Sequence, residues 1–351
     1  MYNFLIKVNK VHSIFFTKVV TASGSITPRI KAIVKRSIQS NIIMSEEEKK
    51  VPWMPPARIE ELFAKTEGNQ FASINRPTAG AREEVDVPEG IAPLQLYSLG
   101  TPNGVKVTIL LEELEELGLT TYDAHTVNIM KGEQFNSGFV NINPNSKIPA
   151  LVHKKGKGKG EDITRIHLFE SGSINVYLCD EFHVFLPSHS ENPSARAEIM
   201  NWTMFQMGCQ GPMTGQFGHF FCYAPADKTE ARDYSVARYG MEVQRLLDVM
   251  EKHLSNNSYL YLVDNEYSLA DIMNYPWVRW LRTGYEHTAS GIKAGAFLNI
   301  ESNYPHLMQW CDRIAQRPAV QRGVQVNGWA DMSIPKPWLV KKEVDTEKDT
   351  G

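Results

Sequence analysis

The chain has 351 residues, a formal net charge of −3 at pH 7, 42% hydrophobic and 22% charged residues, which gives room for about two globular domains that need no covalent staples. The small net charge excludes a general nucleic-acid binder, and no run of about 18 apolar residues is available to span a membrane. Four cysteines, Cys179, Cys209, Cys222 and Cys311, lie in apolar, helix-like stretches without a C-x-x-C pair, the pattern of free thiols in a reducing compartment.

Residues 1–43 contain no Asp or Glu and seven Lys or Arg, the bias of a mitochondrial transit segment. Met44-Ser45-Glu46-Glu47-Glu48 then reads as a second, cytosolic start, so the expected compartment is cytoplasmic or mitochondrial. Residues 44–92 are charged and proline-rich, with anchors at Trp53, Phe63 and Phe71; they are expected to form an extended arm rather than a domain. Leu94–Ser98 predicts a first strand. Thr101-Pro102-Asn103-Gly104 opens a helix whose apolar face is Val107, Leu110, Leu111, Leu114 and Leu117, and Gly118 ends it. A strand near Tyr122–Val127 follows. Two further strands, 148–152 and 163–169, flank Lys154–Gly160, a Lys/Gly tract read as a solvated hairpin tip. That tract lacks the G-K-[ST] ending of a nucleotide loop and the interleaved aromatics of a nucleic-acid site. A helix then starts at Glu170-Ser171.

Beyond Asn192 only helical periodicity remains, over 195–207, 234–254, 269–281 and 304–316. The expected fold is therefore a mixed α/β domain over 93–187 and an all-helical domain over 194–330, with a loose charged tail over 335–351. Ser268-Leu269-Ala270-Asp271 is a capping pattern and is read as structural. His219 among aromatics reads more readily as a core residue than as an acid or base, and histidines are too scattered for a metal site.

Several ordered motifs resemble those of bacterial glutathione transferases of the nu class, also described as glutathione-dependent disulfide-bond oxidoreductases. They are Leu94-Gln95-Leu96-Tyr97-Ser98-Leu99-Gly100-Thr101-Pro102-Asn103-Gly104, Gly132-Glu133-Gln134-Phe135, Asn143-Pro144-Asn145-Ser146-Lys147-Ile148-Pro149-Ala150 and Phe169-Glu170-Ser171-Gly172. Phe217-Gly218-His219-Phe220, Arg245-Leu246-Leu247-Asp248, Arg317-Pro318-Ala319-Val320 and, in the arm, Phe71-Ala72-Ser73-Ile74-Asn75-Arg76-Pro77 extend the likeness over about residues 70–330. The resemblance implies a thioredoxin-like N-terminal domain followed by an all-helical C-terminal domain. It also implies bound glutathione as cosubstrate, no metal, a small disulfide or electrophile as second substrate, and a homodimer.

Glutathione carries two carboxylates, an ammonium and a thiol whose anion is the nucleophile, so its site must hold both ends and favour the thiolate. The resemblance assigns the catalytic place to Thr101 and Asn103, at a helix start that favours anions; on spacing alone Thr101 and Pro102 are equally an ordinary cap and first-turn proline. It puts a cis proline after Ile148, where a peptide pairs with exposed backbone. Glu170 and Ser171 would hold the γ-glutamyl end, Gln134 and Lys147 the glycyl end, while Arg238 and Asn75 would close over the ligand. Two departures fall on the side expected to face a second ligand: Met207 where the family has glutamine, and four extra residues between Pro225 and Arg238. The competing expectation is a non-catalytic binding module of the same fold.

Overall fold

The computed structural model describes residues 53–67, 71–156, 163–225, 227–257 and 259–339. The proposed transit segment, residues 157–160 of the expected Lys154–Gly160 tip and the end of the tail lie outside them; Lys154 and Lys155 belong to a strand instead, and Lys154 Nζ donates to Gly90 O at 2.7 Å. The chain forms two units, residues 1–65 and 66–351. A 3-10 stretch, Ile59–Thr66, spans that boundary, with an Arg58–Glu60 ion pair at 3.3 Å at its start.

The second unit opens with a short 3-10 turn at Ala72–Ile74 and then runs along the thioredoxin-like half. Arg82 sits over the Phe135 ring at 3.2 Å, and Glu83 and Val85 accept backbone hydrogen bonds from Ser137 and Gly138. The sheet has four strands, β1 (Leu94–Ser98), β2 (Tyr122–Thr126), β3 (Ala150–Lys155) and β4 (Thr164–Phe169), in the order β2-β1-β3-β4. β1 is parallel to β2 and antiparallel to β3, and β3 is antiparallel to β4. Every residue of β1 is buried, as expected for a central strand covered on both faces.

Helices α1 (Pro102–Glu116), α2 (Ser137–Ile142) and α3 (Ser171–Phe182) complete this half. α1 is buried on all sides from Gly104 to Leu114, because α3, α7 and α9 pack around it. The helical half contains α4 (Pro193–Phe205), α5 (Gly211–Gly218), α6 (Thr229–Asn257), α7 (Leu269–Thr283), α8 (Pro305–Ala315) and α9 (Pro318–Gly323). π-helical turns at Gln206–Gln210 and His219–Tyr223 flank α5. α7 begins with the expected capping box, Ser268 with Asp271; Asp271 also accepts from Leu262 N at 2.9 Å and Trp310 Nε1 at 2.8 Å, so all its work is structural.

The halves are joined by polar contacts that burial makes strong. Arg317 makes a bidentate pair with Glu113 at 2.7 and 2.8 Å, and Arg322 reaches Glu112 at 2.7 Å. The chain then returns to the sheet. Asn327 accepts from Gly100 N at 2.8 Å through its carbonyl and donates from its amide to Ser98 Oγ at 2.8 Å. Pro335 and Lys336 are held too: Pro335 O accepts from Asn327 N, and Lys336 donates to Glu115 at 3.0 Å.

Candidate active site

A cavity of about 550 Å³ opens between the two halves. Its wall includes Asn75, Thr101, Pro102, Asn103, Gln134, Lys147 and Ile148, seven of the residues singled out from sequence. Glu170 and Ser171 lie outside that wall; Glu170 Oε1 accepts from Asn145 Nδ2 at 3.2 Å, and Asn145 precedes the lining residue Ser146. Arg238 is exposed on α6 and lies outside the lining.

The start of α1 can be accounted for donor by donor. A helix leaves its first N–H groups without intrahelical acceptors. Pro102 has none to offer, Gly104 N donates to Thr101 Oγ1 at 3.2 Å, and Val105 N donates to Thr101 O at 2.9 Å. The Asn103 N–H is what remains. The Asn103 side chain is fixed as well: Trp277 Nε1 donates to its Oδ1 at 3.0 Å, and since an indole N–H only donates, Nδ2 is left as a second open donor. Thr101 is thus a true N-cap and also a wall residue.

The Ile148–Pro149 bond is cis, as expected. Just before it, Ser146 has φ 54°, and Asn143 Nδ2 donates to Lys147 O at 2.5 Å. This turn brings Ile148 to the wall ahead of β3, while the Lys147 side chain is exposed. Gln134 is buried, with Nε2 donating to Ile129 O at 3.4 Å and Oε1 left without a protein partner; a buried amide of this kind has capacity for a polar ligand.

α3 begins differently. Glu170 occupies the N-cap with φ 65° and makes no side-chain cap, so the N–H groups of Ser171, Gly172 and Ser173 are uncapped. Ser171 does not cap its helix; its hydroxyl accepts from Lys106 Nζ at 3.1 Å and donates to Met207 Sδ at 3.6 Å. Met207, expected on the second-ligand side, instead packs under α3. A Cβ on Gly172 would lie 2.9 Å from Met207 Cγ, so Met207 would have to move to admit any larger residue there.

Much of the rest of the wall is aromatic: Phe71, Phe220, Tyr223, Trp277, Trp280, Tyr285 and Trp329 contribute, beside Ile74, Ile129, Gly215 and Gln216. Phe71 from the arm meets Tyr223 edge-on at 5.0 Å, and Trp329 Nε1 donates to Gly100 O at 3.0 Å. His219 is half-buried in this wall, and burial lowers its pKa, so it is neutral near pH 7. Phe217, grouped with it in the sequence, is fully buried in the core. Trp277, Trp280, Tyr285 and Trp329 escaped the sequence reading because their positions fit a helix core or a chain end equally well.

No cysteine lines the cavity. Burial pushes the thiols of Cys179 and Cys311 up and that of Cys222 up to about 11. Among the described residues, no group of three His, Cys, Asp or Glu is placed to hold a metal ion, and no helix is long and apolar enough to cross a membrane.

Comparison with known proteins agrees with this geometry. Residues 92–180 match the glutathione S-transferase N-terminal domain and residues 217–318 the C-terminal domain. The chain is 44% identical over 268 residues to the disulfide-bond oxidoreductase YghU of Escherichia coli, covering 75% of this chain and 85% of that protein. A crystal structure of glutathione transferase YghU from Streptococcus pneumoniae complexed with glutathione superposes with a TM-score of 0.67 at 42% identity, covering 78% of this chain and 97% of that one. A glutathione transferase from Pseudomonas putida, with one glutathione disulfide bound per subunit, gives a TM-score of 0.57 at 36% identity over 67% of this chain and 92% of that one. With both domain types matched and a relative of this similarity covered almost end to end, the chain belongs to the glutathione S-transferase family.

Proposed function

We propose that the protein is a glutathione-dependent disulfide-bond oxidoreductase in which bound glutathione supplies the nucleophile. The observation that carries this reading is the mouth of α1. The open donors there, Asn103 N–H and Nδ2 and the hydroxyl proton of Thr101, whose oxygen accepts from Gly104 N, belong to wall residues of a cavity lined by no cysteine. Hydrogen bonds to the anionic form of a thiol lower its pKa, and a helix N-terminus adds a positive partial charge. The glutathione sulfur belongs there. Ile148 pairs with its peptide backbone, Gln134 and Lys147 take the glycyl end, and Glu170 and Ser171 take the γ-glutamyl end.

The chemistry balances without another cofactor. The bound thiolate attacks one sulfur of a disulfide, forming a mixed disulfide and expelling the other sulfur as a thiolate. A second glutathione thiolate then attacks the glutathione sulfur, giving glutathione disulfide and the second substrate thiolate. The two glutathione thiols supply the protons of the two product thiols. A relative with glutathione disulfide bound fits that product. The aromatic walls also suit a flat apolar electrophile, so transferase activity accompanies the exchange, and peroxide reduction is a further outlet of the same thiolate. Asn75 on the arm closes over the ligand, and Arg238, exposed on α6 outside the lining, contributes weakly. A homodimer is expected, read by light scattering, and the compartment is cytoplasmic or mitochondrial, read by a fluorescent fusion with and without residues 1–43.

The test is turnover of 2-hydroxyethyl disulfide by purified protein and glutathione. Rates well above the uncatalysed exchange are expected; rates no faster would remove the reductase reading.

A further inference from the structure

Behind the proposed γ-glutamyl subsite lies a lysine that nothing above uses. Lys106, on α1, is 1% exposed. Its ammonium nitrogen touches Ser171 Oγ at 3.1 Å and Met207 Sδ at 3.5 Å. Neither partner is charged, although a buried ammonium is costly unless it is paired. The carboxylates nearby are committed elsewhere. On α1 itself, Glu112 and Glu113 pair with Arg322 and Arg317 of the α9 region. On α3, Asp180 pairs with Arg196 and Glu181 with Lys155. On α7, Asp271 serves the capping box and Arg282 pairs with Glu301 and Asp312, while Arg279 acts on Tyr275 and Cys311. Cys209, on the turn that carries Met207, lies toward Arg245. Glu170, which acts on Lys106 through space, is exposed and bonded to Asn145.

We infer that Lys106 is a positioning residue for glutathione: it holds the Ser171 hydroxyl from behind and becomes the hidden counter-charge of the γ-glutamyl carboxylate, so that binding of the tripeptide takes up a proton at Lys106. The inference rests on the glutathione reading above. The geometry supplies the relay. Ser171 Oγ accepts from Lys106 and spends its own proton on a thioether, a weak acceptor; a carboxylate arriving at the uncapped start of α3 replaces that acceptor with a strong one. A negative charge one hydroxyl away favours the charged amine. Burial lowers the Lys106 pKa to about 7 in the free protein, so the amine has a neutral fraction near neutral pH and a proton to gain.

The experiment is titration calorimetry with S-methylglutathione, which keeps the γ-glutamyl end and has no thiol to release a proton. Wild type is measured at pH 7 in buffers of different ionisation enthalpy, then across pH 6 to 8. The expected result is net proton uptake on binding near pH 7, and affinity falling at least severalfold from pH 6 to 8 as the charged fraction declines. Lys106→Met should bind at least tenfold more weakly at pH 6, with affinity flat over that window and thermal stability no lower than wild type, since an uncompensated buried amine is removed. Wild-type binding without proton exchange and independent of pH, or Lys106→Met binding as wild type does, overturns the inference and leaves the glutathione reading standing. No binding of S-methylglutathione to wild type overturns both.

Discussion

The two helix starts beside the cavity, those of α1 and α3, solve opposite problems with the same backbone. α1 satisfies its backbone donors internally through Thr101 and Pro102 and leaves open the N–H of Asn103, joined by its Nδ2 and by the Thr101 hydroxyl proton. That small set suits one sulfur atom. α3 has no side-chain cap, its N-cap Glu170 sits at φ 65°, and a buried ammonium backs its first hydroxyl. Several open donors suit the two oxygens of a carboxylate. A third start, that of α7, closes its capping box completely and takes no ligand. The difference lies in what each N-cap residue leaves unsatisfied, since the partial charge at a helix end is common to all three.

The comparison breaks most visibly at Asn103. Asn103→Ala removes the Nδ2 donor at the sulfur, and loss of one preorganised donor to a developing or resident anion typically costs about 100-fold in rate. Disulfide-exchange kcat/KM should fall by that order while circular dichroism stays unchanged. At the other helix, Ser171→Ala removes a carboxylate donor rather than a thiolate donor. It should raise the KM for glutathione about tenfold with little change in kcat, the pattern of lost uniform binding.

How far these two starts were legible in the sequence follows the same division. The start of α1 could be read directly, because Thr-Pro-Asn-Gly is a capping pattern and the apolar spacing behind it is helical. The cavity wall at Asn75, Gln134 and Ile148 came from motif resemblance, and the structure brings those residues together. Lys106 could not be found that way. It lies off the apolar stripe of α1 and reads as a solvated charge, yet α1 is enclosed on all sides, so its polar residues find partners that are distant in sequence: Thr108 donates to Gly323 O at 2.6 Å and Tyr122 donates to Glu112 at 2.5 Å. α5 and its π turns were missed for a different reason. Four glycines between 208 and 218 weaken the helical signal, and Gly218 is required because a Cβ there would overlap the Tyr285 ring.

Thr101→Ala sharpens the contrast on the structural side. Loss of the N-cap should lower stability by about 1 kcal/mol, measured by urea denaturation, whereas Thr101→Ser keeps the acceptor and should restore it. The smallest effect belongs to Arg238→Ala. An exposed arginine outside the lining should shift KM by less than about threefold; a shift of tenfold would mean that α6 closes on the ligand far more tightly than the free protein does.

The central claim is that the α1 mouth makes the glutathione thiol anionic. Its most direct test is a pH titration of thiolate ultraviolet absorbance for glutathione bound to wild type and to Asn103→Ala. The bound thiol should titrate at least about one unit below its free value in wild type and return toward that value in the variant. A bound thiol that titrates like free glutathione in wild type would contradict the account.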